Sequence, residues 1–386
     1  MTSDDLLDVA SLLDEEERDI QQAVRAFLAD KAMPFAGRWF AEGRFPVELI
    51  PEFGRMGLLG MSLTGYGCAG TGAVAYGLAC LELEAVDSGL RSFVSVQGSL
   101  AMYALWRYGS EEQKEAWLPR MATGDAVGCF GLTEPDQGSD PGGMRTTARR
   151  TSSGTWVLDG TKLWITNGSI ADVAVVWART EDGVRGFLVP RDTPGFVARD
   201  LEGKLSMRAS VTSELSLAGC ELPADAMLPE ARGLRAPLSC LTQARYGIAW
   251  GALGAARNCL ETALDYAGTR EQFGRPIAAY QLTQRKLVEM AVGYERGLLL
   301  ALHLGRLKEA GRLRPEQVSL GKLANVRTAL DIAREARTVL GANGIAVDYP
   351  PMRHAANLET VLTYEGTEEI HTLVLGEKLT GHAAFR

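Results

Sequence analysis

Apolar positions in the first third of the chain recur at helical spacing. Ile20, Val24, Phe27 and Leu28 fall on one face, and the run from Gly72 to Trp106 carries no proline. This period predicts mostly helix from Leu12 to about Gly124. Near Ala126 the pattern changes to short apolar runs divided by turn residues: Trp156-Val157-Leu158, then Asp159-Gly160, then Lys162 to Thr166. Val173 to Trp177, Gly186 to Val189 and Leu215 to Leu217 continue the series to about Leu222. Asp-Gly between two such runs signals a hairpin, so turns are expected at Asp159-Gly160 and at Asp182-Gly183, within an antiparallel sheet. After Pro237 the helical period returns, with helices expected near 238–268, 280–310, 315–341 and 368–380 and with Gly341 and Gly344 placed as C-caps. The order gives an α+β chain: an N-terminal helical domain over 1–125, a β domain over 126–234 and a C-terminal helical bundle over 235–386.

Composition narrows the functions open to such a chain. Its 386 residues allow two or three domains, and 40 basic against 48 acidic residues, a net charge of -8, disfavour a binder of nucleic-acid backbones. The acidic N-terminus, through Asp14-Glu15-Glu16-Glu17, fits neither a secretory signal nor an Arg-rich transit peptide, and no 18-residue uncharged apolar stretch suggests a membrane span. A cytoplasmic protein is expected. The six cysteines, Cys68, Cys80, Cys129, Cys220, Cys240 and Cys259, form no Cys-x-x-Cys pair and read as small core residues. The four histidines, His303, His354, His371 and His382, have no metal-ligand spacing, and no Gly-x-Ser-x-Gly elbow is present. Metal-assisted and serine hydrolysis thereby lose their usual residues.

Several segments carry candidate chemistry. Gly65-Tyr66-Gly67-Cys68-Ala69-Gly70 matches Gly-x-Gly-x-x-Gly, but helix and then hairpins follow it where a dinucleotide fold needs alternating strands and helices, so it reads as a connecting loop. Cys129 to Asp140 joins a strand to a loop rich in hydroxyls and glycines, whose backbone N–H groups can approach an anionic or heteroaromatic ligand. Trp164-Ile165-Thr166-Asn167 ends a strand with a ring, a hydroxyl and an amide close together. Glu84 and Arg91 share a helical face, and fifteen uncharged residues, Ser92 to Trp106, follow the arginine. Either the two form an internal pair, which local pattern favours, or Arg91 is a pocket cation for a carboxylate. Arg270 to Pro276 is a basic interhelical turn, and Arg245 lies in a helical stretch, Leu241 to Gly247. Glu365 stands before Gly366, which removes a neighbouring side chain, and Thr367 N-caps a helix opening with Glu368 and Glu369.

Together, Phe130 to Asp140, Trp164 to Asn167, Arg270-x-Gln272-Phe273-Gly274 and Tyr364-Glu365-Gly366-Thr367 resemble the motif set of the acyl-CoA dehydrogenases, in that family's order across nearly the whole chain. Within it the chain is most similar to the glutaryl-CoA dehydrogenases, through Val86 to Ser92, Ala244 to Gly251 and Arg353-His354. The resemblance implies a helical domain, a β domain and a C-terminal four-helix bundle, with FAD as cofactor. It implies that Phe130, Leu132, Thr133, Ser139, Trp164, Ile165 and Thr166 hold the flavin, with Thr133 and Thr166 on its edge. Thr367 and Phe385 would border it. Arg270, Gln272, Phe273 and Gln281, with Thr338, Leu340, Gly341 and Ala342, would reach FAD of a neighbouring subunit in a homotetramer.

The resemblance further implies that Ser139, Leu238, Thr242, Arg245 and Gly366 line the acyl-CoA channel and that Arg91 and Ser92, with Glu84 nearby, bind a distal carboxylate. Glu365 would remove the α-proton, its pKa raised by burial, beside Tyr364. The implied reaction is dehydrogenation of glutaryl-CoA with decarboxylation to crotonyl-CoA and CO2, in lysine and tryptophan catabolism, with an electron-transfer flavoprotein as acceptor. Alternatives are a flavin dehydrogenase for another short or dicarboxylic acyl thioester, on CoA or a carrier protein, and a non-catalytic helical scaffold. The chain departs from the family at Gly341-Ala342-Asn343-Gly344, where two successive glycines are usual, and at Tyr349 to Met352 before Arg353.

Overall fold

The structure is a computed structural model that describes residues 5–383. Its first third is helical: α1 (Glu15–Lys31), α2 (Ala36–Glu42), α3 (Ile50–Arg55), α4 (Ala73–Val86), α5 (Ser88–Ser95), α6 (Tyr103–Tyr108) and α7 (Glu111–Thr123). Asp14 starts α1 with a capping box, its side chain accepting from Glu17 N at 2.9 Å while Asp14 N donates to Glu17 Oε2. Val24 and Leu28 are buried and Ile20 and Phe27 pack against the same core. Helix α4 is buried along its whole length and apolar but for Glu82 and Glu84, which are paired with Arg257 and Arg91. Between α5 and α6 the chain makes a π-helical stretch, Val96–Met102, a geometry often found at functional sites. The segment from Gly65 to Gly70 is an irregular loop between α3 and α4, as expected.

The middle of the chain forms β1 (Gly128–Gly131), β2 (Thr147–Arg150), β3 (Trp156–Thr166), β4 (Val173–Thr180), β5 (Gly183–Pro190), β6 (Phe196–Asp200) and β7 (Thr212–Leu222). The strand order is β1-β4-β2-β3-β7-β6, with β5 on β4. Antiparallel pairs dominate, but β1 runs parallel to β4, so the sheet is mixed: the chain passes through β2 and β3 before returning beside β1. The expected hairpin at Asp182-Gly183 is present, one residue early, with Thr180 paired to Gly183 around Glu181-Asp182. The one expected at Asp159-Gly160 is absent. These residues lie inside the continuous strand β3, where the register against β7 shifts between Leu158 and Gly160. Glycine is needed there because a Cβ would sit 2.4 Å from Thr146 Oγ1. The turn that opens β3 lies instead at residues 151–155, closed by Thr151 N donating to Thr155 O at 2.9 Å.

The rest is helical: α8 (Arg235–Thr269), α9 (Gln281–Glu309), α10 (Pro315–Val339), α11 (Pro350–Thr363) and α12 (Glu368–Thr380), with a small hairpin of β8 (Glu271–Gln272) and β9 (Arg275–Pro276) between α8 and α9. The described residues thus hold five helices where four were expected. Helix α11 was hidden by Pro350-Pro351, which reads as a break but is compatible with a helix's first turn. Gly341, at φ 59°, follows α10 in the left-handed C-cap geometry, whereas Gly344 lies in a short 3-10 turn. Helices α4 and α8 touch backbone to backbone: a Cβ at Gly254 would meet Leu81 O at 1.9 Å. No described helix is long and apolar enough to cross a membrane. Five of the six cysteines are buried and all are free.

Candidate active site

Thr367 N-caps α12 by accepting from Ile370 N at 3.3 Å, so α11 ends at Thr363 and three residues bridge to the cap. In that bridge Glu365 has φ 52° and Gly366 φ 99°. A left-handed glutamate is disfavoured by about 1–2 kcal/mol, so other contacts must hold it. They come from two helices. Arg245 Nε of α8 donates to Glu365 O at 2.6 Å, and Lys322 Nζ of α10 donates to Gly366 O at 2.6 Å and to Tyr364 O. Glycine is required at 366 because a Cβ would lie 3.0 Å from His371 Nε2 and 3.1 Å from Arg245 Nη2. Glu365 Oε2 is buried without a hydrogen-bond partner. Burial raises the Glu365 pKa, against the cations Arg91, Lys322 and Arg245.

The side chain of Tyr364 turns toward α5. Its hydroxyl accepts from Arg91 Nη2 and lies 3.2 Å from Ser92 Oγ, and the guanidinium sits 5.7 Å from the ring centroid. Burial pushes the Tyr364 hydroxyl up to about 12, so it stays protonated at neutral pH. Arg91 is fully buried and meets Glu84 Oε2 at 2.6 Å through Nε, while Ser88 Oγ donates to Glu84 Oε1 at 2.8 Å. The internal pair is therefore real, and Glu84 contacts Arg91 rather than open space. The guanidinium nevertheless reaches the turn that carries Glu365 through Tyr364, and its remaining N–H groups are left for another acceptor. Asp87 sets this alignment. It accepts from Gly89 N at 2.8 Å at the start of α5 and from Asn357 Nδ2 at 3.0 Å and Arg353 Nη1 at 3.3 Å on α11.

A second face is built from the ends of β1 and β3. Leu163 N donates to Thr133 O at 2.9 Å, and Lys162 Nζ ties Leu132 O at 3.1 Å to Glu134 Oε1 at 2.8 Å. Burial pushes Lys162 down to about 8, while Glu134, held by Arg145 N, Thr146 N and Lys162, falls to about 2. The side chains of Phe130, Leu132 and Ile165 are buried, Phe130 lying 5.8 Å from Trp177. Trp164, at φ 63°, projects an indole that is 60% exposed. Thr133 and Thr166 are half-buried beside it. An outward indole, two hydroxyls and strand-end backbone fit one face of a planar heteroaromatic ring.

The other sequence-derived candidates divide into two places. Leu238, Thr242 and Arg245 follow one face of α8 to Glu365, with Thr242 Oγ1 donating back to Leu238 O at 3.0 Å, and Ser139 lies exposed in the loop after β1. Arg270, Gln272, Phe273 and Gln281 are at the opposite end of α8, about 37 Å from Arg245 along the helix axis at 1.5 Å per residue. Phe273 is 96% exposed at the tip of the β8–β9 hairpin. Thr338, Gly341 and Ala342 belong to the same end, because Asn343 Nδ2 donates to Tyr266 Oη of α8 at 3.0 Å; the Leu340 side chain is buried, which leaves its backbone. Phe385 lies outside the described residues.

Two site residues escape sequence reasoning. Lys322 is four residues from Val318 and from Val326, and so sits on the apolar face of α10, a detectable signal. His371, 1% exposed, has both ring nitrogens without a partner; burial, with Lys322 and Arg245 adding to it, pushes its pKa down to about 3. Nothing local in the sequence marks it.

Comparison with known proteins places this arrangement. Residues 14–125 match the acyl-CoA dehydrogenase N-terminal domain, 129–220 the middle domain and 231–380 the C-terminal domain. The chain is similar to a glutaryl-CoA dehydrogenase from Mycobacterium smegmatis solved in complex with FADH2, at 63% identity and a TM-score of 0.98, covering 99% of this chain and 98% of that one. It resembles the butyryl-CoA dehydrogenase of Megasphaera elsdenii at 32% identity and a TM-score of 0.91, covering 95% and 98%. It is 36% identical over 374 residues to the human mitochondrial short-chain specific acyl-CoA dehydrogenase, covering 95% of this chain and 90% of that protein.

Proposed function

The chain belongs to the acyl-CoA dehydrogenase family, and on that premise we propose that it converts glutaryl-CoA to crotonyl-CoA and CO2. Its cofactor is FAD, which when bound accepts the hydride from the β-carbon. Glu365 takes the α-proton; its buried, unpartnered Oε2 is a free acceptor, and its raised pKa brings the carboxylate closer in basicity to the carbon acid. Arg91 and Ser92 hold the distal carboxylate, and Tyr364, neutral and hydrogen-bonded to both, places that end next to the base. Trp164, Thr133 and Thr166 orient the flavin. Once the α,β double bond has formed, breaking the bond from the γ-carbon to the carboxylate releases CO2 and sends its electron pair into the unsaturated thioester, and the proton that Glu365 took is returned at the γ-carbon to give crotonyl-CoA. Electrons leave to an electron-transfer flavoprotein.

The observation that carries the substrate is the fully buried Arg91 joined to Tyr364, the residue beside the base. The 63% identity to a glutaryl-CoA dehydrogenase supports it. The likeness to short-chain and butyryl-CoA enzymes favours a second reading, a monocarboxylic acyl thioester. Anaerobic titration of the purified protein with glutaryl-CoA, following flavin bleaching and CO2 together, separates them. Glutaconyl-CoA without CO2 removes the second step, and preference for butyryl-CoA removes the role of Arg91.

We also propose domains divided near residues 125 and 234, and a homotetramer. The assembly is supported by the exposed Leu282, Val288, Val292 and Leu299 on α9 and by the distance of the Arg270 end from Glu365. A monomer by light scattering would refute it.

A further inference from the structure

Three consecutive carbonyls, those of Tyr364, Glu365 and Gly366, are held by cations from two helices. Lys322 takes the first and third and Arg245 the second. One ammonium can bridge carbonyls two residues apart only if the chain arches at the residue between, and φ values of 52° at Glu365 and 99° at Gly366 make that arch. The conformation is unfavourable for a glutamate, and hydrogen bonds from a charged donor offset it.

Lys322 is 1% exposed and packed on the apolar side of α10. An ammonium in such a place is costly, and its hydrogen bonds among the described residues go to the two carbonyls that flank Glu365. We propose that Lys322 is a positioning residue for α-proton abstraction: its ammonium locks the arch that presents the Glu365 carboxyl and keeps that carboxyl ionised. This rests on Glu365 being the base.

The groups that face the carboxyl support the assignment. They are Arg91 from α5, Arg245 from α8 and Lys322 from α10, with Tyr364 adjacent, Glu84 behind Arg91, and His371 of α12 against the backbone at Gly366. The charge on Arg91 is matched by Glu84, and His371 is neutral. Among the described residues neither Lys322 nor Arg245 has a carboxylate within ion-pair distance, and both act on Glu365 beside Arg91, Lys322 more strongly than Arg245. The effect is mutual: burial pushes Lys322 down to about 7, and the carboxylate works to keep it charged. Without Lys322 the carboxyl pKa rises further and less base exists at a given pH.

The test uses flavin-loaded Lys322→Met, Lys322→Gln and Glu365→Gln with glutaryl-CoA and an artificial electron acceptor. In Lys322→Met, kcat falls by about 10²-fold, the scale of a misplaced catalytic group, while KM changes little. The acid limb of the kcat/KM profile moves to higher pH. Lys322→Gln restores N–H donors without charge, so part of kcat returns and the acid limb stays displaced. A Gln variant with wild-type kcat and an unmoved acid limb overturns the proposal. If the Met variant does not fold, the Gln variant decides alone. Wild-type turnover in Glu365→Gln would remove the base itself; an inactive Glu365→Gln beside unaltered Lys322 variants would remove only the positioning role.

Discussion

Removing Arg91 alone would confuse two effects. The guanidinium meets Glu84 at 2.6 Å with the two side chains 1% and 0% exposed, so Arg91→Met strands a carboxylate in a dry site at a cost on the order of 3–5 kcal/mol. The informative perturbation is the double variant Glu84→Gln/Arg91→Met, which removes both charges and leaves Ser88 Oγ, now 2.8 Å from Glu84 Oε1, an amide oxygen to bond. It is expected to unfold at a higher temperature than Arg91→Met. Its catalytic defect should depend on the substrate. A charge-assisted contact to a distal carboxylate contributes about 3 kcal/mol, so kcat/KM for glutaryl-CoA falls on the order of 10²-fold. Butyryl-CoA has no carboxylate to lose and should change by less than about tenfold. Anaerobic dye reduction with both thioesters, beside thermal melts of the FAD-bound proteins, measures both parts. An equal fall for the two substrates would make Arg91 purely structural. A double variant no more stable than the single would mean that Glu84 is not stranded.

Three further outcomes follow from the site. Glu365→Gln should keep its FAD yet lose about 10³-fold in turnover; wild-type activity should rise with pH through a value above the usual carboxylate range, and an acid limb near 4 would contradict the burial argument. Gly251→Ala places a Cβ 2.2 Å from Glu84 Oε2 and should cost about 1–3 kcal/mol, read by urea unfolding. His371 is neutral when folded, with its pKa lowered from 6.5 to about 3, so unfolding takes up a proton as pH falls below about 6.5 and stability declines from there toward about pH 3. His371→Gln should flatten that decline in urea titrations; an unchanged slope would refute it.

The order of helices and sheet was legible because period 3.6 and period 2 leave different marks, and Val24, Leu28 and the strand at Val173 lie where those periods put them. Turn chemistry was less reliable. Asp159-Gly160 and Asp182-Gly183 look alike locally, but the first glycine answers to Thr146, a neighbour fourteen residues earlier. Pro350-Pro351 hid a helix for a similar reason, since a break and a helix start use the same residue. In the candidate site, the Phe130, Trp164, Arg270 and Glu365 segments were each weak alone and carried a signal only together, in their order along the chain. The choice between a paired and a pocket arginine was not legible, because Arg91 contacts both Glu84, seven residues away, and Tyr364, 273 away. Lys322 and His371 gain their meaning only where α10 and α12 converge on the turn at Gly366.

Helix α8 has an uninterrupted run of 35 residues, with Arg245 near one end, Gly251 and Gly254 pressed against α4, and the β8–β9 hairpin at the other. Such a rod is a ruler with an angular scale as well as a length. Inserting one residue after Gly254 would turn the hairpin by about 100° and move it about 1.5 Å, whereas Arg245, bonded to Glu365 O, would stay in place. Over evolutionary or engineered change this chain can therefore vary its loops in length, while the interval from Arg245 to Arg270 is fixed in phase, and homologous recombination or insertion within it should yield folded helices whose two ends no longer serve the same protein.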